Sequence, residues 1–134
     1  MPEESDATAC EVDLNCISEL IPALGPGRLR ELAEILRLRL VMMVEAGAAL
    51  PKGIDGLLLR IHKCRGSAGS LGFTALAREL AGIEALLIEP GPNGLDSVPE
   101  ALDALVVTLE ASTAILERRL ASQGEAHSAN VRKL

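Results

Sequence analysis

Tryptophan and tyrosine are absent from this chain, and phenylalanine occurs once, at Phe73. An interior without aromatic bulk has to be filled by Leu, Ile, Val, Ala and Met, and 49% of the 134 residues are apolar. Leu and Ala are strong helix formers, and few stretches alternate with period two, so the expected class is all-α. The missing aromatics also remove the stacking platforms that hold single-stranded nucleic acid. A formal net charge of −6 removes the basic footprint that nucleic-acid binding requires. Only three cysteines occur, Cys10, Cys16 and Cys64, and no CxxC pairs them, so neither a disulfide framework nor a zinc site is expected. The longest apolar run, Leu40 to Val44 between Arg39 and Glu45, is far too short to span a bilayer. The N-terminus has no basic stretch leading into an apolar one, so no signal peptide is expected. Neither GxxxxGK[ST] nor GxGxxG is present, which speaks against the common modes of nucleotide binding. The expectation is one domain, large enough to bury a core without staples, in a reducing cytoplasm.

What is present is organised by breaks. Residues 1–12 read as an acidic solvated leader. Asp13 is placed to cap a short helix carrying Leu14, Ile17, Leu20, Ile21 and Leu24, which Gly25-Pro26-Gly27 ends. A long helix is expected from about Arg28 to Leu50. Leu29, Leu32, Leu36, Leu40, Met43, Ala46 and Leu50 form its stripe, while Arg30, Glu31, Glu34, Arg37 and Glu45 mostly lie off it. Pro51 ends that helix. The next runs from Pro51 or Gly53 to about Leu71, with Ile54, Leu57, Ile61, Cys64, Ala68 and Leu71 inward and Gly72 as the stop. A further helix over 73–88 faces Phe73, Leu76, Leu80, Ile83 and Leu87 to the core. After the loop Pro90 to Gly94, Ser97-Val98-Pro99-Glu100 reads as a capping box. The last helix is expected to end near Leu120, with Leu102, Leu105, Leu109, Leu116 and Leu120 inward and a polar tail over 122–134. Short connections favour antiparallel neighbours. The expected architecture is therefore an up-down-up-down four-helix bundle over 13–121 with a short extra N-terminal helix.

The charge is unevenly spread. Residues 1–13 carry Glu3, Glu4, Asp6, Glu11 and Asp13 without a Lys or Arg, whereas Arg60, Lys63 and Arg65 surround His62 with no acid between Gly56 and Ala77. A basic patch on an acidic protein suits a specific acidic or phosphorylated partner. His62 lies about 100° from Ile61 around the helix, on the flank of the inward stripe, beside Leu58, Arg65, Gly66 and Gly69. Each of these glycines costs roughly 1 kcal/mol of helix propensity relative to Ala. Together with Ser67, Ala68 and Ser70 they leave a low surface from which another protein could reach the imidazole. Neutral imidazole is a good nucleophile near pH 7 and could take a phosphoryl group in line. Arg65, one turn on, could neutralise its charge. The residues alone leave a plain docking surface as an alternative to phosphorus chemistry. Lys63 reads equally as a steering charge or a solubilising one, Leu58 as a docking contact or helix packing, and Ser67 as a hydrogen-bond donor or a small packing residue. Cys64 reads as core rather than redox-active.

The stretch His62-Lys63-Cys64-Arg65-Gly66-Ser67-Ala68-Gly69-Ser70-Leu71-Gly72 resembles the signature of bacterial histidine-containing phosphotransfer (HPt) domains. Leu76-Ala77, Leu80 and Ile83-Glu84 resemble the helix that follows it in that family. The likeness covers residues 14–120 in helix pattern and 54–84 in motif detail. It implies that His62 is the phosphoryl acceptor and that Gly66 permits close approach of a receiver domain. It implies as partners the receiver domains of response regulators and hybrid histidine kinases, which bring their own Mg²⁺. Arg65 stands where Lys is usual, keeping the charge but changing its geometry, and Cys64 stands where Leu is usual.

The expectation is a monomeric phosphorelay carrier, not an enzyme with kinase activity of its own, and without cofactor, metal, nucleic acid or membrane. It has His62 and Arg65 as the chemical residues and Leu58, Lys63, Gly66, Ser67 and Gly69 toward the partner. The alternative is a non-catalytic adaptor that docks on a receiver or histidine kinase. A dimeric histidine phosphotransferase would normally bring an α/β domain for which this length leaves no room.

Overall fold

A computed structural model describes residues 12–46, 53–89, 91–92 and 94–133. They are helical, with no strand among them: α1 (Leu14–Leu24), α2 (Pro26–Ala46), α3 (Gly53–Ser70), α4 (Thr74–Ile88), a 3₁₀ turn (Gly94–Ser97) and α5 (Val98–Lys133). No helix among them is long and apolar enough to cross a membrane. The leader before Val12, and Leu50 and Pro51, lie outside the described residues.

Helix starts and stops follow local chemistry. The Asp13 carboxylate accepts from the Cys16 N–H at 3.1 Å and caps α1. Gly25, with φ +87°, ends it by donating to the Ile21 carbonyl. The break is shorter than expected, because Pro26 opens α2 directly. A proline at the first helical position loses no hydrogen bond, and its φ already suits the helix. Arg28 and Glu31 pair along the exposed side of α2, and Arg37 meets Glu34 at 2.6 Å. Arg30 reaches across to Glu117 on α5 at 2.9 Å.

The α3–α4 connection is the tightest feature. The Phe73 N–H donates to the Ala68 carbonyl at 2.9 Å and the Gly72 N–H to that of Gly69 at 3.1 Å, with Gly72 at φ +80°. These are the paired closing bonds of a glycine-terminated helix, and the buried Phe73 ring supplies the apolar contact that accompanies them. The Gly72 carbonyl in turn accepts from the Asp13 N–H at 2.8 Å, so the start of α1 is fastened to this turn.

The inward stripes largely match expectation. Leu29, Leu36, Leu40 and Met43 of α2 are buried, with Leu57, Ile61, Cys64 and Ala68 of α3 and Leu76, Leu80, Ile83 and Leu87 of α4. Leu32 and Ala46 of α2 are only partly buried, and Ile54 is exposed at 46%. It sits in the first turn of α3, on the wall of an open crevice of about 510 Å³ with Val44, Leu87 and Leu102. In α5 the buried line of Leu102, Leu105, Leu109, Leu116 and Leu120 also takes in Thr108 and Ser112. The Thr108 hydroxyl donates to the Glu79 carboxylate of α4, whose oxygens lie 2.7 and 2.8 Å away. Burial pushes the Cys64 thiol up, and the nearby Arg39 and Arg60 only partly offset this, so the thiol stays protonated in the core near neutral pH.

The last helix does not stop near Leu120 but runs on to Lys133, so the expected polar tail over 122–134 is helical as far as it is described. That stretch has one glycine (Gly124) and no proline to end the helix. Among the longer helices, α2 packs on α3, α3 on α4, α4 on α5 and α5 on α2, closing a cycle, while α1 lies against α2.

The Gly72 turn is the point where a single Cβ should cost most. A Cβ there would stand 3.1 Å from the Asp13 carbonyl oxygen and 3.2 Å from the Cys16 Cβ, at a φ that L-residues rarely adopt. Gly72→Ala is expected to destabilise the fold by about 1–3 kcal/mol, read as a lowered urea midpoint at unchanged m-value.

Candidate functional site

His62 projects from the middle of α3 with its side chain 62% exposed, and its Nδ1 lies 3.0 Å from Glu84 Oε2 on α4. The other Glu84 oxygen, Oε1, accepts from Arg65 Nη1 at 2.8 Å. The Glu84 side chain is mostly buried, at 14% exposure, whereas Arg65 is 40% exposed. One carboxylate, held in the seam between two helices, thus orients two side chains that lie one turn apart on α3.

That geometry has a chemical consequence. A carboxylate can only accept, so the contact requires the proton of neutral His62 to sit on Nδ1. Nε2 is then left with its lone pair in the plane of the ring, away from Glu84. The ring therefore has one nitrogen engaged in orientation and one available as nucleophile or base.

Gly66 and Gly69 are exposed on the same helix, and a Cβ added at either would meet nothing. No close packing within the described chain calls for glycine at these two positions. Leu58, one turn before His62, is partly buried against the core. Lys63, Gly66 and Ser67 turn the other way around α3. They border a groove of about 750 Å³ with Leu20 and Leu24 of α1 and Leu32, Ile35 and Arg39 of α2. The residues singled out by sequence therefore divide into two adjoining sets. His62 and Arg65 converge on Glu84 along the α3–α4 seam, and Lys63, Gly66 and Ser67 edge the groove on the α2 side. Gly69 stands bare on the outer face of α3 and is not part of the groove lining.

Glu84 was not among the residues singled out by sequence as chemical. Its signal is the hairpin: His62 lies ten residues before Gly72 and Glu84 twelve after it, so a tight reversal there brings the two level. The groove residues of α1 and α2 carry no comparable signal, because the lie of α1 is set by its fastening to the Gly72 turn. No group of three or more His, Cys, Asp or Glu suited to a metal ion occurs among the described residues.

Comparison with family models, with curated proteins and with solved structures returned no match to this chain.

Two substitutions separate what the fold needs from what the site needs. Gly66→Ala fills open space in a helix and is expected to raise stability by about 0.5–1 kcal/mol, measured by denaturant titration. Glu84→Ala removes the carboxylate that holds Nδ1 of the ring and is expected to convert His62 from a predominantly Nδ1–H tautomer to a mixture rich in Nε2–H. The ¹⁵N shifts of the imidazole report this directly, and an unchanged tautomer ratio would show that Glu84 does not orient the ring.

Proposed function

We propose that this chain is an HPt-type phosphorelay intermediate, which accepts a phosphoryl group on His62 from the aspartyl phosphate of a receiver domain and passes it to another receiver. The observation that carries the reading is the held imidazole: Nδ1 is engaged by Glu84, and the exposed ring stands beside a helix surface kept bare at Gly66 and Gly69. The closed cycle of four helices is the packing that an up-down-up-down four-helix bundle produces, which fits the family that the His62–Gly72 stretch resembles.

In the transfer step the Nε2 lone pair attacks phosphorus. The bond from phosphorus to the aspartyl oxygen breaks, and the carboxylate of the donor leaves with that electron pair. The Nδ1 proton stays on the ring, where its hydrogen bond to Glu84 stabilises the positive charge that develops on the imidazole. Arg65 exchanges its contact with Glu84 for the phosphoryl oxygens, so charge gained at Nε2 is met from one turn away. The return step is the same sequence reversed onto a second aspartate. The chain needs no cofactor for this, since Mg²⁺ belongs to the receiver. Such a carrier works as a monomer in the cytoplasm, and the groove beside Lys63, Gly66 and Ser67 offers the receiver a contact surface continuous with the reacting face.

The test is label transfer from a panel of phosphorylated receiver domains. Wild type is expected to acquire an acid-labile, base-stable phosphoryl group, and His62→Gln none. Arg65→Ala is expected to slow transfer about ten- to a hundredfold, from the roughly 1.5–3 kcal/mol of a hydrogen bond to a charged group. Binding of a receiver without transfer would leave the adaptor role instead.

A further inference from the structure

The groove between α1, α2 and α3 joins an aliphatic wall to a cationic rim. Leu20 and Leu24 of α1 and Leu32 and Ile35 of α2 supply the wall, and Leu24 and Ile35 stay exposed, at 43% and 37%. The ionisable groups that line it are all cations, Arg28, Arg39 and Lys63, although the chain has a net charge of −6. Arg28 is paired with Glu31. Arg39 and Lys63 make no ion pair with a described residue. Neither does Arg60, which lies with Arg39 close enough to act on the buried Cys64 thiol. One end of the groove therefore gathers positive charge without a counter-charge among the described residues.

We propose that this groove binds a medium-chain fatty acid anion, with the alkyl chain along Leu24, Leu32 and Ile35 and the carboxylate between Arg39 and Lys63. Its volume of about 750 Å³ is that of a small-molecule site, mostly apolar with a few polar groups to fix orientation. Along α2 it runs from Arg28 to Arg39, about 16 Å at 1.5 Å per residue. An extended chain of about a dozen carbons, zigzagging at roughly 1.5 Å per C–C bond, matches that length. No aromatic side chain lines the groove, so a flat ring system finds no stacking surface there, whereas a flexible alkyl chain packs well on leucine and isoleucine. The Arg39 guanidinium offers a carboxylate a fork of two donors, and Lys63 adds a second charge. A neutral or cationic head forfeits both. The site itself does not depend on the phosphorelay reading. Only its consequence rests on that reading: an occupied groove closes the surface a receiver would use, so the carrier answers to free fatty acid.

The test uses the full chain, labelled with ¹⁵N and titrated with dodecanoate below its micelle concentration. Saturable shifts that fit one site are expected in the amides of Leu24, Ile35, Gly66 and Ser67. Decanoate is expected to bind roughly fifteenfold more weakly, from about fourfold per buried methylene. The double variant Arg39→Gln, Lys63→Gln changes two exposed side chains. It is expected to weaken dodecanoate about ten- to a hundredfold, as loss of hydrogen bonds to a charged group does, and to leave the binding of dodecanol unchanged. Dodecyltrimethylammonium binding as tightly as dodecanoate, or no loss in the double variant, would overturn the inference, because the alkyl chain alone would then account for binding. Shifts centred on the crevice of Val44, Leu87 and Leu102 would overturn it by placing the chain elsewhere. Anionic phospholipid vesicles that shift the groove amides where free dodecanoate does not would assign this face to a membrane. Groove amides that move with protein concentration alone would assign it to a second copy, and either result overturns the inference. These readouts involve no phosphoryl group, so they stand or fall apart from the phosphorelay. In transfer assays, saturating dodecanoate is expected to slow label uptake from a receiver severalfold and leave uptake from phosphoramidate, a donor too small to need the groove, unchanged. Equal rates from the receiver would overturn the regulatory consequence.

Discussion

The reversal at Gly72 is the constraint on which the rest of the molecule depends. Two backbone bonds close the end of α3, a left-handed glycine turns the chain, and the same glycine's carbonyl accepts from the Asp13 N–H just before α1. The turn therefore sets the register between α3 and α4, and with it the approach of Glu84 to His62. It also sets where α1 starts, and so the position of the groove that α1 walls. A one-residue slip at this point would rotate α4 by about 100° and swing Glu84 out of the seam. Site and surface are two consequences of one hydrogen-bonded corner.

Glu84 illustrates how little protein such a site needs. Its carboxylate is mostly buried, yet both of its oxygens are engaged by exposed partners, which keeps it satisfied while it holds them. An orienting acid could be placed on the helix of the histidine, but a partner on the neighbouring helix fixes the ring against two rigid elements at once. The position of Thr108 against Glu79 repeats the arrangement one seam further round, between α4 and α5. There the hydroxyl is buried and the pair closes a polar gap in a line of leucines, so the same chemistry serves packing.

How far the sequence could be read depended on the range of the interaction. Local signals carried well: Asp13 as a cap, Gly72 as a stop, and the three-four spacing of Leu29 through Met43 and Leu57 through Ala68 all rest on contacts within a few residues. His62 was placed on the solvent flank for the same reason, since the period of the helix alone decides it. The errors lie at helix ends. Gly25-Pro26-Gly27 marks a break, yet Pro26 stands at the first helical position and opens α2, and the polar stretch past Leu120 holds no proline, so α5 continues to Lys133. The two things that stayed hidden, the hold of Glu84 on both His62 and Arg65 and the cation-rimmed groove, need the distance between elements far apart in the chain. Reflection about Gly72 could have supplied the first. The second depends on where α1 comes to rest, which no periodicity within α1 encodes.

Phe73 is the one phenylalanine in the chain, and it lies wholly buried at the corner between α3 and α4 in an otherwise aliphatic interior. Apart from the imidazoles of His62 and His127, it is the sole source of ring-current shifts in the protein. Methyl lines displaced far upfield must therefore come from side chains stacked on this ring, at the corner that sets the register of the site. The crowding of the core spectrum elsewhere does not matter: a handful of resonances at its edge reports whether the hinge of the hairpin is closed.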